Sequence, residues 1–172
     1  PVHAAPCEIV IFGASGDLTR RKVIPALFNL HQQGILPPRT RITGFARSEM
    51  TNAAFAESLR EFARRFASSF TTPGWETFAE RLRYFSGAYD DPAAFRAFAA
   101  REEGDCPECP GGCGIGRLFY LATPPDAFAS IAKNLKDIAA EQERLLQSVN
   151  EANAKRTDVL EDQRRLIGCL AY

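Results

Sequence analysis

Residues Glu8–Lys22 read EIVIFGASGDLTRRK, an apolar run that stops on glycine and gives way to an acid and a basic cluster. Ile9 to Phe12 have the unbroken apolar character of a strand buried on both faces. From Asp17 the residues Leu18, Val23, Ile24, Leu27, Phe28 and Leu30 recur at helical spacing, which predicts a helix that Pro25 kinks or restarts and that Gly34 and Pro37-Pro38 end. Between the two elements lies Gly13-Ala14-Ser15-Gly16. A strand that ends in glycine ahead of a helix leaves backbone N–H groups and the positive end of the helix dipole free at its C-terminal edge, where an anion can sit. Gly13 lets the chain turn, Gly16 lets a phosphate approach, and Ser15 adds a hydroxyl donor. The spacing is shorter than G-x-G-x-x-G, so a tight turn with no ligand is the competing reading.

Outward from this turn the same rhythm repeats. RITGFAR, Arg41 to Arg47, reads as a second strand, and Thr51 as the N-cap of a helix through Phe66 with Phe55, Leu59, Phe62 and Phe66 on one face. Trp75 to Leu82 add a helical turn or two, YFSG a third strand, Pro92 to Arg101 another helix, and RLFYLAT a fourth strand before a helix from Asp126. This alternation predicts an α/β domain, a parallel sheet with helices on its faces, over residues 1–136. In the tail, 137–172, Ile138, Leu145, Ala152, Val159 and Leu166 stand seven apart, while the alternate seam carries Gln142, Val149, Arg156 and Gln163. Half a heptad predicts a long amphipathic helix packed on the domain or on a partner, with residues 138–167 as the surface for a homo-oligomer or a foreign helix.

The chain has 172 residues, 45% of them hydrophobic and 24% charged, enough for one domain with a real core. Lys and Arg balance Asp and Glu at 21 each, so no overall field draws it to nucleic acid or a membrane surface, and any anion site must be local. No run approaches the ~18 apolar residues of a membrane span, and the opening PVHAAPCEIV lacks the pattern of a signal peptide, so a cytoplasmic location is expected. Five cysteines, an odd number, argue for reduced thiols. Three of them, Cys106, Cys109 and Cys113, crowd the Pro- and Gly-rich loop GDCPECPGGCGIG. That spacing suits a shared zinc, but no fourth ligand is nearby. The expectation is a loop without metal, a small metal-binding interaction protein being the alternative.

The end of the second strand decides the kind of anion. In dinucleotide folds this position faces the adenosine ribose: an acid there pairs with the hydroxyls of NAD, whereas arginine grips the 2′-phosphate of NADP. Arg47 and Ser48 stand there, with no acid before Glu49, so the reading is NADP over NAD, against the plainer one of a solvated arginine. Arg21 and Lys22 either add charge near the same phosphates or form an ordinary basic helix face.

FGASGDLTRRKVIPALFNL, GFARS, FSGAYDD and RLFYLATPP, in this order, resemble the N-terminal coenzyme domain of the glucose-6-phosphate dehydrogenase family, the NADP-linked first enzymes of the pentose phosphate pathway. The resemblance covers Cys7 to about Leu135 and implies a Rossmann-type α/β fold there, a parallel sheet with flanking helices. It implies that Gly13, Ala14, Ser15, Gly16, Asp17 and Leu18 line the pyrophosphate turn, that Lys22 reaches a phosphate or substrate, and that Arg47 with Ser48 holds the 2′-phosphate. Tyr89 and Asp90, and Tyr120 to Pro125 with Ala122, Thr123 and Pro124 between, would border the adenine and nicotinamide sides. The family's E-K-P-F-G stretch and its R-I-D-H-Y-L-G-K stretch, which carries the catalytic histidine, do not occur in these residues. His3 and His31 are the only imidazoles, and neither is placed to serve as a base. The expectation is therefore an NADP-binding domain that does not turn over glucose 6-phosphate unless a substrate domain is supplied. The alternative is a nucleotide-binding scaffold that docks a partner through its tail.

Overall fold

The computed structural model describes residues 7–101 and 116–151, and the backbone of 152–169. The described elements are β1 (Cys7–Phe12), a π-helical turn (Thr19–Val23), α1 (Ile24–Gln32), β2 (Arg41–Ala46), α2 (Asn52–Phe66), α3 (Thr72–Ala79), β3 (Leu82–Ser86), α4 (Pro92–Ala100), β4 (Gly116–Leu121), a 3-10 turn (Pro125–Ala127) and α5 (Phe128–Cys169). The strands form one parallel sheet in the order β3-β2-β1-β4. The chain divides into two compact units, one ending at Ile131 and one beginning at Ala132.

Strand β1 is the centre of the first unit, paired with β2 through Ile9↔Ile42 and Ile11↔Gly44, and with β4 through Ile9↔Leu118 and Ile11↔Tyr120. Alternation sends Ile9, Ile11 and Ile42 to one face, where Ile24, Phe28, Phe55, Leu59, Trp75 and Phe78 of α1, α2 and α3 cover them. Phe12, Phe45 and Phe85 form an aromatic stack with Phe95 and Phe98 of α4, at centroid distances of 5.2 to 5.8 Å. Such pairs add about 0.5–1.5 kcal/mol each beyond the area they bury. A residue run buried on both faces has to be apolar throughout, which is why β1 and β2 read without alternation.

Glu8 is the exception within β1, a buried carboxylate in an apolar strand. It accepts hydrogen bonds from the Thr43 hydroxyl (2.6 Å) and from Arg117 Nε (2.9 Å), and is ion-paired with Arg101. Arg101 also lies 3.6 Å over the Phe98 ring at the end of α4. One carboxylate thus joins β1, β2, β4 and the end of α4.

Several elements depart from the sequence-based expectation. The helix does restart at Pro25, which lies in the first turn of α1, but the segment before it is a π turn, Ile24 N–H bonding Thr19 O five residues back. A π turn there takes up the mismatch left by a residue with no N–H to offer. On α2 the buried face is Phe55, Leu59 and Ala63, with Phe62 and Phe66 half-buried at its margin. The guanidiniums of Arg20 and Arg21 lie 5.6 and 5.3 Å over those two rings. α3 starts at Thr72, capped by the Thr71 hydroxyl on Gly74 N–H, and ends before Leu82, which opens β3. α5 runs unbroken from Phe128 to Cys169, through the expected start of the tail at 137. In its second-unit portion Leu145, Leu146 and Val149 are exposed; the later seam positions, from Ala152, lie outside the described side chains.

The outer edge of β3 is covered by side chains. Asn52 Oδ1 accepts from Tyr84 N–H at 2.7 Å, and Arg83 donates to the carbonyls of Leu82 and Glu80 at 2.8 Å each. Strand β4 is different: among the described residues it pairs with β1 alone, and Leu118 and Tyr120 are exposed.

Candidate functional site

Parallel order with β1 central puts the C-terminal ends of β1, β2, β3 and β4 on one rim, and the chain's direction reverses between β2 and β4, on either side of β1. Such a reversal opens a crevice at the strand ends. Gly13 sits in it with φ of +85°, a conformation that side chains rarely adopt. Its N–H donates to Phe45 O at 3.0 Å, tying the turn to β2, and its carbonyl accepts from the buried Thr19 hydroxyl at 2.9 Å. A Cβ at Gly13 would stand 2.4 Å from the carbonyl oxygen of Ala122, because the ends of β1 and β4 close on one another there. Gly44 has the corresponding role beneath: a Cβ would meet the Phe55 ring at 2.6 Å and the Ala14 Cβ at 2.7 Å, so its absence lets α2 pack directly under the turn.

The expected site residues divide by location. Gly13, Ala14, Ser15, Gly16, Asp17 and Leu18 form the turn and the helix entry, with Gly16 N–H bonded to Gly13 O at 2.9 Å. Arg47 and Ser48 follow β2, both exposed. Tyr89, after β3, reaches across to the turn: its phenol is hydrogen-bonded to the Gly13 backbone and feels the charge of Arg47. Burial pushes that phenol up, and the Gly13 bond and Arg47 pull it only partly back. Tyr89 also sits against the Phe12 and Phe45 rings, at 6.2 and 6.1 Å. Thr123 borders Gly13 from the β4 side, its Cγ2 lying 3.2 Å from where a Gly13 Cβ would be. Its Oγ1 is buried with no hydrogen-bond partner. Ala122 joins the core, Asp90, Pro124 and Pro125 are exposed, and Pro124 leads into the 3-10 turn.

Two basic residues stand on the π turn that follows Leu18. Arg21 pairs with Asp17 at 3.5 Å and lies against Phe66, while Lys22 is exposed on the π turn. His31 is held by Thr77 Oγ1 at 3.0 Å, between the Phe28 and Phe78 rings, and burial followed by the nearby Arg81 charge lowers its pKa. His3 and the cysteines at 106, 109 and 113 lie outside the described residues. Among the described residues no group of three metal-ligating side chains occurs, and no helix is long and apolar enough to cross a membrane. An open groove of about 430 Å³ between α2, α3 and β3, floored by Trp75 and Leu82, includes none of the expected coenzyme residues.

Sequence reading missed the supports of this rim. Tyr84 donates from its hydroxyl to Ser48 O at 2.7 Å, and Ser86 from its hydroxyl to Arg47 O at 3.3 Å. Burial, and then the neighbouring Tyr89, push the Tyr84 phenol up. The alternation of Tyr84 and Ser86 within YFSG carries the signal, but using it requires the β2–β3 register.

These residues fit a nicotinamide dinucleotide: a backbone turn open at a helix start, an exposed guanidinium after the next strand, and a buried hydroxyl oxygen awaiting a partner. Comparison with known proteins gives the same class of ligand. The family model described as glucose-6-phosphate dehydrogenase, NAD binding domain, matches residues 10–161, reaching beyond Leu135, where the sequence resemblance was expected to stop. The chain is 35% identical over 136 residues to glucose-6-phosphate 1-dehydrogenase 2 of Mycobacterium tuberculosis (strain ATCC 25618 / H37Rv), across 78% of this chain and 26% of that protein. It is 39% identical over 132 residues to glucose-6-phosphate 1-dehydrogenase of Schizosaccharomyces pombe, across 74% and 25%. A solved structure of glucose-6-phosphate dehydrogenase in complex with its substrate glucose-6-phosphate superposes with a TM-score of 0.63 at 32% identity, over 78% of this chain and 28% of the other. The glucose-6-phosphate 1-dehydrogenase of Mycobacterium avium gives 0.64 at 28% identity, over 77% and 27%. The chain thus spans about a quarter of the length of the relatives it matches.

Proposed function

The chain belongs to the glucose-6-phosphate dehydrogenase family through that family's NAD binding domain, and from this premise we propose that it binds NADP in preference to NAD. What supports the preference is the neighbourhood of Arg47, whose charge acts on the same Tyr89 phenol that is bonded to the Gly13 backbone. A guanidinium and a phosphate-binding turn therefore serve one ligand. The 2′-phosphate takes the guanidinium fork, with the Ser48 hydroxyl beside it. The pyrophosphate rests on Gly13 to Leu18, Lys22 reaches a phosphate or the substrate, and Tyr89 with Asp90 and Tyr120 to Pro125 border the two ends of the coenzyme.

NADP, when bound, accepts the hydride released as a sugar phosphate is oxidised. The residues of this domain bind and orient it. Oxidation of glucose 6-phosphate also needs a base near the reacting carbon, and a positioned base contributes about 10²–10⁴-fold. His31 is occupied with Thr77, so the 172 residues alone are expected to show no turnover, and glucose 6-phosphate is a substrate only where a further domain is supplied. A cytoplasmic setting goes with that role. A second reading, a module that docks a partner or another copy through residues 138–167, is favoured by the exposed Leu145, Leu146 and Val149.

Fluorescence titration with NADPH and NADH tests the first reading. The chain should bind NADPH more tightly, and Arg47→Ala should weaken NADPH binding about thirtyfold, the loss of a charge-assisted pair, with NADH unchanged. An unaltered ratio would refute it. In an assay with glucose 6-phosphate and NADP, reduction above background by this chain alone would refute the absence of turnover.

A further inference from the structure

We propose that Tyr84 and Ser86 are positioning residues for coenzyme selectivity, and that they build a second anion-binding element beside Arg47 from the backbone N–H groups of Ser48 and Glu49. The proposal rests on the reading of Arg47 as a 2′-phosphate ligand. Ser86 Oγ holds the Arg47 carbonyl at 3.3 Å, and the Tyr84 hydroxyl holds the Ser48 carbonyl at 2.7 Å. Within a trans peptide the carbonyl and the N–H point in opposite directions. Two carbonyls drawn toward β3 therefore send the next two N–H groups, of Ser48 and Glu49, away from β3. In a sheet ordered β3-β2-β1-β4, that is the side of β1 and the Gly13 turn. Successive N–H groups on one side of a bend form a concavity that binds anions.

The ligand this suits is a phosphate monoester, with several charged oxygens for a guanidinium and two amides. A ribose hydroxyl at the same place has too few acceptors to engage them. Tyr84 is held firmly in place, its ring packing on Phe55 at 5.0 Å and its N–H donating to Asn52 Oδ1 at 2.7 Å. Its raised pKa keeps the proton that it donates. Ser86 is exposed at the strand end, so its removal disturbs little else. Arg47 gives charge, and β3 gives direction.

The test is titration of the full chain and of Tyr84→Phe and Ser86→Ala with NADPH and NADH, together with amide NMR of the unsubstituted chain. Each substitution should weaken NADPH binding about fivefold, the worth of one hydrogen bond, and leave NADH binding unchanged. The Ser48 and Glu49 amide resonances should move on addition of NADP and stay in place with NAD, a readout that a merely structural role would not produce. Variants that keep the original NADPH-to-NADH ratio, or amides that respond alike to both coenzymes, overturn the proposal while Arg47→Ala still abolishes selectivity. If Arg47→Ala leaves the ratio unaltered, the reading of Arg47 falls, and this proposal with it. Should Tyr84→Phe fail to fold, Ser86→Ala and the amide shifts decide.

Discussion

Replacing Glu8 with alanine should lower stability by about 3–5 kcal/mol, the cost of breaking a buried ion pair by removing one partner. In a chain of this length that is a fall of about 10 °C or more in melting temperature. The carboxylate is bonded to Thr43 and shared by Arg101 and Arg117, so its loss leaves two guanidiniums of the α4 end and β4 without the charge that gathers them. The effect has a pH signature. Burial pushes the Glu8 carboxyl up, but the Thr43 bond, the Arg101 charge and the Arg117 bond and charge outweigh it, and the net shift is downward. A lowered folded-state pKa means that the unfolded chain takes up the proton first. The contribution is whole above the ordinary carboxylate range and is lost as pH falls below it, through the lowered folded value. Denaturation with urea at pH 7 and at successively lower pH should show the native chain losing this advantage in acid and Glu8→Gln lacking that component. Equal stability of native and Glu8→Ala chains at pH 7 would show that the cluster contributes nothing.

Gly13→Ala should be comparably severe, and should also remove coenzyme binding. The left-handed backbone costs about 1–3 kcal/mol for a residue with a Cβ, and forcing that atom into a filled space costs about as much again. Here the space belongs to the Ala122 carbonyl at 2.4 Å, just beyond the point where Ala122 N–H is bonded to Phe12 O at 2.9 Å and holds the end of β4 against β1. Either β1 and β4 part at their ends or the turn abandons its conformation, and both change the surface offered to a pyrophosphate. The expected result is a melting temperature lower by about 10 °C and a flat NADPH titration. A variant that melts with the native chain and binds NADPH normally would show that the turn tolerates a side chain, and that its glycine is dispensable.

How far the fold can be read from residues depends on the range of the cause. The Gly13 turn is legible because an apolar strand, a glycine and a helix entry are neighbours in sequence. Thr51 is legible as a cap for the same reason, its hydroxyl bonding Ala54 N–H three residues on. The Thr71 cap offered the same kind of signal, yet the apolar Trp75 draws the eye to a later start. Glu8 is opaque: its partners lie 35, 93 and 109 residues away, and a charge beside an apolar run looks like a strand end. The site splits in the same way. Arg47 stands out by its place after the second strand, whereas Tyr84 and Ser86 acquire a role only once β3 lies alongside β2. The small Ala63 replaces Phe62 and Phe66 at the centre of the α2 face, a matter of close approach that spacing alone does not show.

The side-chain cover on β3 makes the sheet one-sided. An incoming strand there would have to strip Asn52 from Tyr84 N–H and Arg83 from Leu82 O, exchanging bonds already made for equivalent ones. Beside β4, with Leu118 and Tyr120 in solvent, a newcomer gains pairing and apolar cover together. A longer polypeptide carrying this module can widen it in one direction, like a zip with a stop at one end.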